Sequence, residues 1–216
     1  PQQLTAVSNK IYFTANAAAF GNELWVSDGT VPGTRMVRDI VPGASSSNPR
    51  NLVAHQGRLW FSATTTDRGE ELWSVDPVTD TASTESEIAF VNGANAFNGN
   101  TAWATAVPTN MISAVGSLFL QARDGVGRFG SEFRRLDSNG VALVRDTAPA
   151  FVERYFPSIG STYTGPEHGY PALFTMAGGK TYFRSGDSLY GAQLHVSDGT
   201  ESGTIRLGGR VRSQPV

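Results

Sequence analysis

Glu23, Glu71 and Glu132 each open a short run, Glu23-Leu24-Trp25, Glu71-Leu72-Trp73 and Glu132-Phe133-Arg134. Carboxylates recurring at one position of a repeated unit could line a central funnel or work as an acid and base pair. Asp28-Gly29-Thr30 and Asp198-Gly199-Thr200 resemble fragments of calcium loops, but each offers one carboxylate where calcium takes about six to eight oxygens. A turn is the expected role, because Asp bonds its own downstream backbone and Gly accepts positive φ. For the glutamates, which fall on the third strand of their units and so away from any axis, a structural hydrogen bond or salt bridge is expected. His55, His168 and His195 are scattered, with no metal-site spacing. His195 stands where other units carry Trp and reads as a packing substitute; His168 falls in a loop and is a candidate for ligand contact. No nucleophile elbow, phosphate loop or metalloprotease helix occurs. No cofactor is expected, calcium being the one ion that the turns leave open.

What must position these residues is an internal repeat. Glu23-Leu-Trp-Val-Ser-Asp-Gly-Thr30 returns as Gln193-Leu-His-Val-Ser-Asp-Gly-Thr200, each followed by a second Gly-Thr, at Gly33-Thr34 and Gly203-Thr204. An upstream segment finds four copies, beginning at Leu4, Leu52, Met111 and Phe174. The units, about 3–50, 51–109, 110–172 and 173–207, leave a tail at 208–216 and are read as one domain over 1–216.

In the first unit, Leu4–Val7 and Ile11–Ala15 form a hairpin, and Glu23–Ser27 is a third strand with Leu24 and Val26 on one face and Trp25 on the other. Asp28-Gly29-Thr30 reverses the chain into a fourth strand at Thr34–Ile40, and Pro42–Pro49 connects to the next unit. Each unit is thus a four-stranded antiparallel meander. Such a sheet has two apolar faces and must be stacked, so the fold expected is an all-β propeller. A closed four-bladed ring is favoured, since an arc of a larger propeller leaves two apolar faces open; the arc is the alternative.

These residues resemble the ELWxxDGT-repeat family, the hyalin-like repeats of bacterial extracellular and surface proteins. The first unit matches nearly throughout, including Val37-Arg-Asp-Ile40, Pro42-Gly43 and Ser45-Ser-Ser-Asn-Pro49. Unit two replaces the turn by Asp76-Pro77, unit three by Asp137-Ser-Asn-Gly140, so those hairpins should turn differently. The resemblance implies a propeller that is secreted, periplasmic or surface-exposed, with a signal peptide removed, and carries over no single chemistry.

Composition agrees with this and excludes other classes. Net charge is −2, from 17 basic and 19 acidic residues, which gives no electrostatic case for nucleic acid or an anionic membrane. No apolar run reaches a membrane span. Cysteine is absent, so no disulfide framework exists. A sialidase-like glycosidase is disfavoured: its repeated hairpin places Trp after the Asp-Gly turn, and the arginines here do not recur at one position.

Length is added on one rim only. Strand alternation brings the links between units out beside the loops joining second and third strands, and the links at about 89–109 and 147–170 far exceed 41–51. Long loops in a compact domain are usually functional. They hold Phe97, Trp103, Phe151, Arg154, Tyr155, Phe156, Tyr163, His168 and Tyr170, types enriched at interfaces. The expectation is a non-enzymatic module, alone or as a subunit of a larger assembly, that meets a protein through this rim; a lectin-like or calcium-dependent binder is the alternative, and a glycoside hydrolase a distant third.

Overall fold

In the computed structural model, the residues described are 1–84, 107–114, 116–123, 131–137, 140–148, 151–156, 161–166, 169–187 and 191–208, with backbone alone at 140, 151–156, 161–166 and 187. They form four four-stranded antiparallel sheets, each a meander in chain order. Blade 1 is β1 (Gln2–Val7), β2 (Lys10–Ala17), β3 (Gly21–Ser27) and β4 (Arg35–Arg38). Blade 2 is β5 (Arg50–His55), β6 (Arg58–Thr65), β7 (Gly69–Asp76) and β8 (Thr81–Thr84). Blade 3 is β9 (Thr109–Ala114), β10 (Ser117–Ala122), β11 (Glu132–Asp137) and β12 (Gly140–Arg145). A two-stranded hairpin, β13 (Phe151–Phe156) and β14 (Ser161–Pro166), precedes blade 4, which is β15 (Ala172–Ala177), β16 (Lys180–Asp187), β17 (Gly191–Ser197) and β18 (Ile205–Leu207). The protein is an all-β propeller, as the repeat requires.

The period-2 pattern gives every blade two apolar faces, and the register fixes which residues share one. Phe13 is opposite Trp25, Phe61 opposite Trp73, and Phe183 opposite His195; these residues lie on what we term the leading face. The trailing face carries Tyr12 opposite Val26 and Thr14 opposite Leu24. The trailing face of blade 1 (Tyr12, Leu24, Val26) packs on the leading face of blade 2 (Leu59, Phe61, Trp73, Val75). Trp60 and Leu72 of blade 2 pack on Leu118, Leu120 and Leu136 of blade 3, and Phe119 and Phe133 of blade 3 pack on Phe183 of blade 4. Phe133 and Phe183 stack at 4.4 Å, and His195 stacks on Phe183 at 5.3 Å much as Trp73 does on Phe61 at 6.3 Å.

The inner strands follow one another, β1 beside β5, β5 beside β9, β9 beside β15. Among the described residues no comparable contact returns from β15 to β1. Between closed ring and arc, the geometry of these residues is that of an arc: the leading face of blade 1 leaves Leu4 67% and Ile11 38% exposed, and the trailing face of blade 4 leaves Leu194 50% and Ile205 51% exposed.

A second contact between blades 1 and 2 is polar. Asp80, in the β7–β8 turn, accepts hydrogen bonds from Tyr12 Oη (2.7 Å), Lys10 Nζ (2.7 Å) and Arg35 Nη2 (2.6 Å). Burial alone would raise the Asp80 carboxyl, but the bonds from Lys10 and Tyr12 and the charges of Lys10 and Arg35 outweigh it and hold it below the usual range. Burial, then the bond to Asp80, pushes Tyr12 up.

The Asp-Gly-Thr turns are closed hydrogen-bond networks. Asp28 Oδ1 accepts from Thr30 N (2.9 Å) and Thr30 Oγ1 (2.7 Å), Gly33 N donates to Thr30 Oγ1 (3.0 Å), and Thr34 Oγ1 donates to Thr30 O (2.7 Å). Asp198, Thr200, Gly203 and Thr204 repeat the set. The second glycine of the phrase is a matter of space: a Cβ on Gly33 would lie 1.9 Å from Asp28 Oδ1, and one on Gly203 2.0 Å from Asp198 Oδ1. The β7–β8 turn differs as the sequence indicates, with Val78 N on Asp76 Oδ1 and Asp80 N on Asp76 O.

Gly33→Ala and Gly203→Ala should each destabilise by about 1–3 kcal/mol in urea unfolding, since the new methyl displaces the aspartate that organises the turn. Val31→Ala, in the same turn but 90% exposed, should stay within about 0.5 kcal/mol. Asp80→Ala should cost about 2–3 kcal/mol, chiefly because it leaves the buried Tyr12 hydroxyl without its acceptor and removes one of the two partners of Lys10.

Candidate functional site

The recurring glutamate is where the blade meets its link. Glu23 lies on β3, fully buried. Its Oε1 accepts from Ser47 N (2.8 Å), and its Oε2 from Ser47 Oγ (2.5 Å) and Ile40 N (3.3 Å). Glu132, at the same place on β11 and also fully buried, accepts on Oε2 from Thr147 N and Oγ1 and on Oε1 from Gly169 N, all at 2.8 Å. The carboxylate clamps the two feet of the link that leaves its own blade, spending its acceptors on N–H and O–H groups that would otherwise be buried unpaired. Burial raises both carboxyls, against the lowering effect of these bonds, Glu132 to about 7.

The backbone repeats beside each clamp. Asn48 N donates to Asn22 O, Val107 N to Glu70 O and Tyr170 N to Ser131 O. All three donors sit at positive φ, at 48°, 44° and 45°. For β-branched Val107 and bulky Tyr170 that conformation is unusual, and the equivalent contact in blades 1, 2 and 3 explains how it is held. Asn22 N also donates to Ser46 Oγ at 2.9 Å, which places the β2–β3 loop and the link on the same rim.

Between the clamp points the link differs in length from blade to blade. Six residues separate Ile40 from Ser47, whereas 21 separate Thr147 from Gly169. The link after blade 3, expected as a long loop, holds the β13–β14 hairpin. Phe151, Arg154, Tyr155 and Phe156 are on β13 and Tyr163 is on β14, with Arg154 paired to Tyr163, Tyr155 to Thr162 and Phe156 to Ser161. Tyr170 follows the clamp and is 51% exposed. Phe97, Trp103 and His168 lie outside the described residues, as does most of the link after blade 2.

The sequence reading missed the hairpin, although its signal was present: two runs rich in aromatic and β-branched residues flank Pro157-Ser-Ile-Gly160, a turn composition. It also missed the link residues that the glutamates bind, for which Ser45-Ser46-Ser47 and Thr147 were the available hints. Among the described residues no cluster of three or more His, Asp or Glu forms a metal site, and no helix is long and apolar enough to cross a membrane.

Glu132 gives the clamp a pH signature. Its pKa is raised from 4.5 to about 7 in the fold, so the fold favours the protonated form: the associated stability is full below about pH 4.5 and is lost as pH rises through about 7. Urea midpoints measured from pH 4.5 to 8 should fall more steeply for the wild type than for Glu132→Gln, which has nothing to ionise there.

No protein-family model matches the chain, and no curated protein does. Among solved structures it is similar to puromycin hydrolase, at 15% identity over 100% of this chain and 29% of that one, with a TM-score of 0.54, and to its S511A mutant complexed with PGG, at 16% identity over 96% and 28%, also 0.54. The chain therefore spans less than a third of the puromycin hydrolase chain. TolB from Acinetobacter baumannii is a weaker likeness, at 15% identity over 93% of this chain and 53% of TolB, with a TM-score of 0.40. At these identities the likeness is one of fold.

Proposed function

We propose that this chain is a non-enzymatic propeller module of the cell exterior or envelope that binds a protein partner through the rim carrying the inter-blade links. The observation that carries the reading is the clamp of Glu132. Thr147 and Gly169 are tied to one buried carboxylate, so the 21 residues between them can change without disturbing the blade. What fills that space is a hairpin whose strands contain Phe151, Arg154, Tyr155, Phe156 and Tyr163, residue types that anchor protein interfaces. The corresponding insertion in blade 1 is six residues of Pro, Gly, Ala, Ser and Val. A fixed frame with one elaborated rim is the usual arrangement of a binding scaffold. The extracellular or envelope location rests on the resemblance of Glu23–Thr34 and Val37–Pro49 to ELWxxDGT repeats.

The test is to replace residues 148–168 by the blade 1 insertion, 41–46. The variant should melt within a few degrees of the wild type, because the clamp is untouched, and should lose crosslinked partners that the wild type retains in its native extract. Binding to a glycan array, or turnover of aryl glycosides that the replacement abolishes, would overturn the protein-binding reading in favour of a carbohydrate one.

A further inference from the structure

Two hydroxyls lie between Glu132 and the next blade. Thr147 Oγ1 is 2.8 Å from Glu132 Oε2 and 2.7 Å from Ser185 Oγ, and Ser185 Oγ is 2.7 Å from Gly169 O. Thr147 and Gly169 are the feet of the third link, whereas Ser185 belongs to β16 of blade 4. All of these side chains are buried. The groups crowd round one point: a Cβ on Gly169 would lie 1.9 Å from Thr147 Oγ1 and 2.8 Å from both Glu132 Oε2 and Ser185 Oγ. Blade 4 differs from the others here. Where Ser185 stands opposite Gln193, the other blades have Ala15 opposite Glu23, Ala63 opposite Glu71 and Ala122 opposite Glu132. Among the described residues Glu23 meets one hydroxyl, that of Ser47.

Counting hydrogens decides the protonation state. The row of oxygens from Glu132 Oε2 to Gly169 O has three gaps, at 2.8, 2.7 and 2.7 Å, separations at which two oxygens need a hydrogen between them. Each hydroxyl supplies one hydrogen and the carbonyl none, so Thr147 and Ser185 fill two gaps. With Glu132 ionised, Thr147 donates to Oε2 and Ser185 to Gly169 O, and the gap between the two hydroxyls holds only lone pairs. With Glu132 protonated, Oε2 donates to Thr147 Oγ1, Thr147 to Ser185 and Ser185 to Gly169 O. Every gap is then filled, and Oε2 keeps acceptor capacity for Thr147 N. Burial acts in the same sense and, against the lowering effect of the bonds, leaves this carboxyl at about 7. The charged residues around it are few. Asp146, on the link, raises it further; Arg134, two places along β11, has its Nε on Ala122 O. On β16 there are Arg184 and Asp187, of which Arg184 is exposed and by alternation is on the face away from Ser185.

We infer that this hydroxyl relay holds Glu132 as the neutral acid, and that the contact of Thr147 with Ser185 is a proton-dependent latch fastening the third link to blade 4. One proton taken up on Oε2 completes the latch. Its loss to solvent takes the hydrogen out of the gap between Thr147 and Ser185 and sets two oxygens against each other. Ser185 is a positioning residue, acting on Glu132 through Thr147. The link that contains the β13–β14 hairpin is thus tied to the next blade while Glu132 is protonated and freed from that tie when it ionises, the bonds from Thr147 N and Gly169 N to Glu132 remaining in both states. The inference concerns how the link is fastened and holds whatever the link binds.

The test follows the Glu132 side-chain carboxyl carbon by NMR from about pH 4.5 to 9, a span that starts at the ordinary glutamate value, with the signal assigned by its absence in Glu132→Gln. In the wild type it should titrate at about 7 or above. Ser185→Ala installs the residue that the other three blades carry at this place, so the variant should keep the wild-type far-UV spectrum. Its Glu132 midpoint should fall by about one pH unit, a tenfold loss of proton affinity, because the Thr147 hydrogen then has an acceptor only when Glu132 is ionised. A wild-type carbon already at its carboxylate position at about pH 6 would overturn the inference without recourse to any relay variant. So would a midpoint that Ser185→Ala leaves unchanged.

Discussion

The buried carboxylate on the third strand of the blade is the constraint around which this fold is organised. A propeller blade is a simple meander, but each blade must hand the chain from its outer strand to the inner strand of the next, across backbone that cannot pair within either sheet. Glu23 and Glu132 solve this by supplying oxygens to the N–H and O–H groups at the two feet of the link. Desolvating a carboxylate is unfavourable, and the three hydrogen bonds to each, at roughly 1.5–3 kcal/mol for a charged acceptor, offset only part of that cost, as the raised pKa values record. Because the bonds go to the feet and not to the link itself, the rim can be elaborated while the blade stays constant.

Blade-to-blade packing is the second constraint, and it is directional. Every blade presents a leading and a trailing face of different composition, so blades add in one sense only. On the leading faces of blades 1, 2 and 4 a phenylalanine stands opposite Trp25, Trp73 and His195 in turn: in the last blade a flat ring stacked on phenylalanine is kept while its size and polarity change. The polar contacts vary more, from Asp80 receiving three donors between blades 1 and 2 to Arg135 and Arg145 reaching the carbonyls of Gly199 and Glu201 between blades 3 and 4. Apolar burial drives the stacking, and these bonds set the register in which neighbours meet.

Much of this was legible in the sequence, because it is local. Alternation of apolar residues places Leu24 and Val26 opposite in sense to Trp25, and the phrase Ser-Asp-Gly-Thr-x-x-Gly-Thr specifies its own turn, every bond of which lies within seven residues. The role of Asp80 was not legible, since its three partners are 45 to 70 residues away. Nor was the pairing of Arg154 with Tyr163, although both residues stand out in the sequence, since the link containing them has no counterpart in the other repeats to fix a register.

Taken alone, the sequence determined the number of blades, the strand pairing within each and the chemistry of the turns, all of which depend on side-chain alternation and on residues close along the chain. The tertiary structure decided which groups the glutamates hold, that the long third link contains a hairpin, and which faces of neighbouring blades meet. Those outcomes depend on where separate sheets come to lie in space, and a repeat pattern records which faces are apolar without recording what lies against each of them.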